Sequence, residues 1–75
     1  MVFINVVKED PMIVLDCHKQ TEDGEYFRLV IDPKTKEVIE KPDDYDIDAT
    51  TAYSRIFGYL MKNKPLPKRT VAEWG

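Results

Sequence analysis

Met12-Ile13-Val14-Leu15-Asp16-Cys17-His18-Lys19, then Gln20-Thr21-Glu22-Asp23-Gly24, then Glu25-Tyr26-Phe27-Arg28-Leu29-Val30-Ile31-Asp32 is the stretch that decides the fold. Both arms are rich in β-branched and aromatic residues. Their apolar side chains include sets at every second position, which is the period of a strand face. The link ends in Asp23-Gly24, a pair able to supply the positive backbone angles of a tight hairpin. Two antiparallel strands over residues 12–19 and 25–32 are the expectation.

Working outward, residues 2–7 read as another strand, stopped by Lys8-Glu9-Asp10-Pro11, where proline denies a ladder hydrogen bond. On the other side, Asp32-Pro33-Lys34-Thr35-Lys36 reads as a second hairpin turn, with Pro33 presetting its angle and Lys36 standing where glycine would be more comfortable. A fourth strand over 37–41 is short, charged and followed by Pro42, the marks of a protected sheet edge.

Asp46 or Asp48 caps a helix expected over about 49–63. Ala49, Ala52, Tyr53, Ile56, Phe57 and Leu60 form one apolar face, with Thr51, Ser54, Arg55, Gly58 and Lys62 opposite. Such a helix must lie on something apolar, and the sheet is the large surface available. Pro65 ends it. Pro65-Leu66-Pro67 should be extended, and Thr70-Val71-Ala72-Glu73 has the spacing of a capping box. The expected fold is α+β: a four-stranded antiparallel meander, one helix on one face, and an extended tail over 64–75.

Composition agrees with a single folded domain. A chain of 75 residues supports one core, and 43% apolar with 33% charged residues is globular composition. The longest apolar runs, such as residues 12–15, are four residues, too short for a membrane helix. Cys17 is the sole cysteine, so an intramolecular disulfide is excluded and a reducing, cytoplasmic setting is expected. Net charge is −3, unevenly spread. Six acids against Lys41 over residues 37–48 give −5, whereas Arg55, Lys62, Lys64, Lys68 and Arg69 give +5 over residues 49–72.

Motifs for chemistry are incomplete. Asp44-Tyr45-Asp46-Ile47-Asp48 starts like a calcium loop, but Ala49 replaces the turn glycine and Arg55 the bidentate glutamate. Asp46-Ile47-Asp48-Ala49-Thr50 matches the D-x-D-x-T pattern of haloacid-dehalogenase-type phosphatases. That pattern follows an apolar strand in a much larger parallel α/β domain, whereas this one opens a helix. Cys17 and His18 are neighbours on a strand and so point to opposite faces, which separates a nucleophile from its base. Gly24, Gly58 and Gly75 are scattered and make no phosphate loop. A protein that is not an enzyme, with no cofactor and no metal, is expected.

The sheet has two apolar faces and the chain one helix. Val2, Ile4, Val6, Ile13, Leu15, Cys17, Phe27, Leu29 and Ile31 suffice for the face beneath the helix. The other face then carries Phe3, Val7, Met12, Val14, Tyr26, Val30 and Val38, interspersed with Asn5, Asp16, His18, Arg28 and Glu40. Phe3, Met12, Val14, Tyr26, Arg28 and Val30 are the candidate partner-binding residues, because large apolar patches mark interaction sites. Two kinds of cover are open, beside plain exposure of the face. The tail, with Leu66, Val71 and Trp74, crosses the face or follows its rim, or a second copy or partner protein meets it. An alternative function is nucleic-acid binding by Lys62, Lys64, Lys68, Arg69 and Trp74, as cations beside stacking aromatics.

Overall fold

Strands form where the alternation predicts them: β1 (Val2–Lys8), β2 (Ile13–Lys19), β3 (Tyr26–Ile31) and β4 (Val38–Glu40) make an antiparallel meander. The computed structural model describes residues 1–73, so Trp74 lies outside the described residues. Helix α1 (Ile47–Met61) follows, and a fifth strand, β5 (Arg69–Ala72), completes a sheet of order β4-β3-β2-β1-β5.

The fifth strand corrects the expected extended tail. Thr70 and Val71 are β-branched, and they pair antiparallel with β1 in the register Phe3 to Val71 and Ile4 to Thr70. The capping-box spacing at Thr70 thus belongs to a strand. Of the two courses expected for the tail, its described part takes the one along the rim and does not cross the second face: residues 69–72 extend the sheet along the β1 edge, which places β1 in the interior.

The helix begins two residues before its predicted start. Asp46 is the cap, its Oδ1 accepting from the Ala49 amide at 3.1 Å, and Asp48 falls in the first turn. The other end stops at Met61 because Asn63 takes a left-handed conformation, φ 54°. The Asn63 amide then donates to the Leu60 carbonyl at 3.1 Å and the Lys64 amide to the Tyr59 carbonyl at 3.0 Å. This paired closure satisfies the last carbonyls from the backbone.

The core lies between α1 and one sheet face. Ile4, Ile13, Leu15, Leu29, Ile31 and Ile56 are its largest fully buried side chains, and burying such a side chain contributes about 1.5–3 kcal/mol. Ala49 and Ala52, also buried, keep that side of the helix slim. Val38 corrects the expected face assignment. Val30 pairs with Glu40 but Ile31 pairs with Val38, so Ile39 bulges out and Val38 turns inward against the core. A second bulge, at Val7, lies between the Val6–Leu15 and Lys8–Val14 pairs.

Three polar contacts tie α1 to the sheet's periphery. The Lys19 ammonium donates to the Asp46 carboxylate, the Tyr53 hydroxyl to the Lys36 carbonyl at 2.5 Å, and Arg55 Nη2 to the Val71 carbonyl at 2.8 Å. Together they reach the helix start, the β3–β4 turn and β5.

Candidate functional site

The sheet face away from α1 is built in rows, because residues paired across antiparallel strands share a face. One row is Val71, Phe3, His18 and Tyr26, from β5 to β3. The next is Arg69, Asn5, Asp16 and Arg28. A third is Lys8, Val14, Val30 and Glu40. The face is therefore two partly apolar bands separated by a polar stripe.

Strand parity thus brings Phe3, Val14, Tyr26, Arg28 and Val30 onto one surface. Met12 immediately precedes β2 and is half-buried. Tyr26 is 50% exposed and Val71 39% exposed, whereas Phe3, Val14 and Val30 are half-buried by their neighbours.

Polar contacts hold the stripe in place. Asp16 Oδ1 accepts from the Tyr26 hydroxyl at 2.7 Å and lies 3.4 Å from Arg28 Nε. The carboxylate's hydrogen bond raises the Tyr26 phenol above its usual range, so the ring keeps its proton and its donor role. His18 Nδ1 lies 2.9 Å from the Gly24 carbonyl and, since a carbonyl only accepts, carries the proton. Its ring sits tilted on Tyr26, centroids 5.5 Å apart.

A cleft of about 370 Å³ opens at the β5 side of this face. Phe3 and Val71 give it apolar walls, His18 and Arg69 polar ones, and Glu22 and Asp23 of the β2–β3 turn close it on the acidic side. Residue parity along β1–β3 identifies Phe3 and His18. The cleft itself depends on β5 and on the turn, so Val71, Glu22 and Asp23 escape a reading of strand alternation. The β-branched Thr70-Val71 pair after Pro67 is the signal that points to a strand there.

The four cations of the alternative site do not form one strip. Arg69 lines the sheet-face cleft, Lys68 is exposed immediately before β5, and Lys62 and Lys64 line a separate groove at the end of α1. Cys17 is fully buried beneath α1, its thiol pushed up to about 12 chiefly by burial and further by Asp16, while His18 faces the other way. Asp46 and Asp48 serve the helix start.

Among the described residues, no three His, Cys, Asp or Glu side chains gather as a metal site requires, and no helix is long and apolar enough to cross a membrane. Compared with known proteins, the chain matches no protein family, no curated protein and no solved structure.

Proposed function

We propose that this chain is a non-enzymatic protein-interaction module that binds a partner protein, or a second copy of itself, through the sheet face opposite α1. The observation that carries this reading is the pairing of two partly apolar bands with an indented cleft on a face that no element of the described chain covers. Phe3, Met12, Val14, Tyr26, Arg28 and Val30 make the contact surface. The cleft beside Phe3 and Val71 takes an anchoring side chain, and aromatic or arginine anchors in pockets dominate interface energies.

Size limits the kind of complex. Five strands at about 4.8 Å spacing and about seven residues at 3.3 Å each project to an area of roughly 450 Å². A stable interface takes about 800 Å² from each partner, so contact through this face alone is of the weak, exchangeable class.

Light scattering over a concentration series tests self-association, and selection from a displayed random-peptide library tests a foreign ligand. Concentration-dependent dimers, or selected peptides, weakened by Phe3→Lys and Val14→Lys in still-folded protein are expected. A strictly monomeric parent that also selects no peptide sensitive to those substitutions overturns the reading.

A further inference from the structure

A groove of about 320 Å³ runs along the solvent side of α1, and its charged lining is wholly cationic: Arg55, Lys62 and Lys64, with Ser54, Gly58 and Tyr59 between them. Like charges repel one another, so a gathering of three needs a local reason. Neither Lys62 nor Lys64 makes an ion pair among the described residues. Both residues contribute to the helix end through their backbones, Lys62 as the C-cap, with amides of residues 62–64 bonding the Gly58, Leu60 and Tyr59 carbonyls, so their side chains are left to the groove. Arg55 spends one donor on the Val71 carbonyl, which anchors its guanidinium at the groove while further N–H groups remain.

Gly58 supplies the second, independent observation. A glycine inside a helix costs about 0.5–1 kcal/mol relative to alanine. This one does not have a left-handed φ, and a Cβ built on it meets nothing within 4 Å. The fold therefore gives no steric reason for glycine at that position. What its missing side chain does leave is room in the floor of a cationic groove.

We infer that this groove binds the phosphate group of a small ester of nucleotide size, with Arg55, Lys62 and Lys64 holding the anion above Gly58. Its volume sits at the lower end of the range for small-molecule sites, which suits such a ligand. Tyr59 is half-buried beside the cations and offers a ring for stacking. The site is separate from the sheet-face cleft and does not depend on the interaction role proposed for it.

The test is an NMR titration of the full chain at constant ionic strength with inorganic phosphate, with adenosine 5′-monophosphate and with a short oligothymidylate. Saturable movement of the Gly58, Tyr59 and Lys64 amides is expected, with Kd on the order of 1 mM or tighter. The mononucleotide should bind at least as tightly as inorganic phosphate. Gly58→Leu, whose Cβ would meet no atom within 4 Å, places an apolar side chain at the groove and should weaken binding about tenfold or more. The double variant Lys62→Gln, Lys64→Gln should do the same if the leucine disturbs folding. Absence of saturation, equal movement with chloride, or binding unchanged in both variants overturns the inference. So does binding of the oligothymidylate alone with Lys68 and Arg69 responding, which assigns the cations to nucleic acid.

Discussion

The Lys19 ammonium, at the end of β2, is bonded to the Asp46 carboxylate that caps α1, so one aspartate both starts the helix and fastens it to the sheet. Glu25 Oε2 stands 3.3 Å from the same ammonium. The two acids raise the Lys19 pKa, the Asp46 hydrogen bond most, and Lys19 lowers that of Asp46 in return.

This pairing predicts a dependence of stability on pH at both extremes. The Asp46 pKa is lowered from 3.8, so its contribution is fully present above that value and is lost as pH falls through the lower folded value. The Lys19 pKa is raised from 10.5, so its contribution is present below that value and is lost as pH rises through the folded one. Lys19→Met should flatten both limbs, whereas Asp46→Asn should remove the charge pairing yet keep most of the cap. Denaturation midpoints across the pH range, at low and high salt, check this. Identical pH profiles for Lys19→Met and the parent would sink the assignment.

Gly24 has a different role from the one its Asp-Gly context suggests. The positive φ of the β2–β3 turn falls on Gln20, at 67°, while a Cβ at Gly24 would collide with the Lys19 carbonyl oxygen. Since the obstructing atom is backbone, Gly24→Ala should cost about 1–3 kcal/mol of stability, at the upper end of that range. Asp23→Ala should cost less than about 0.5 kcal/mol. Urea unfolding of the two variants distinguishes close approach from a requirement for the dipeptide.

Lys36 does occupy the left-handed conformation suspected from the turn sequence, with φ 65°. Its carbonyl accepts the Tyr53 hydroxyl, and the Asp32 side chain braces the turn from the Lys34 amide at 2.8 Å. Lys36→Gly should raise stability by about 0.5 kcal/mol, as relief of steric strain outweighs the extra freedom of the unfolded chain. Tyr53→Phe should lower it by about 1 kcal/mol by removing one hydrogen bond. Thermal melts of the single and double variants read both effects.

At Gly58, alanine should stabilise the protein by about 0.5–1 kcal/mol, because helix propensity improves and no atom stands in the way. Calorimetry on Gly58→Ala measures this independently of any ligand. A loss of stability would mean that the helix uses the glycine itself.

What was legible in the sequence is what depends on local period. Alternation along β1, β2 and β3 separates Ile4, Leu15 and Leu29 from Phe3, Val14 and Arg28, and the structure keeps those two sets on opposite faces. The apolar stripe of α1 likewise predicts Ala49, Ala52 and Ile56 in the core. Features set by partners distant in the chain were not legible. Val38 follows strand parity until Ile39 bulges, and nothing between residues 37 and 41 announces the bulge. Thr70-Val71-Ala72-Glu73 combines a helix-start pattern with a β-branched pair, and pairing with β1 decides for the strand. The sheet face was readable for the same reason as the strands, whereas the cleft needed β5 and the β2–β3 turn placed in space.

The pairing of β5 with β1 also bears on how the chain acquires its structure. Val2 lies beside Ala72, so β5, synthesised after β1 to β4, completes the sheet alongside a strand made well before it. The β1–β4 meander closes through short loops, but this pairing must close nearly the whole described chain. Its entropy cost grows only slowly with length, yet it delays the reward of the contact. Until residues 69–72 emerge, the Val2-Phe3-Ile4-Asn5-Val6-Val7 segment stands as an open edge able to recruit another chain. During synthesis, docking of the fifth strand is the step that closes this edge.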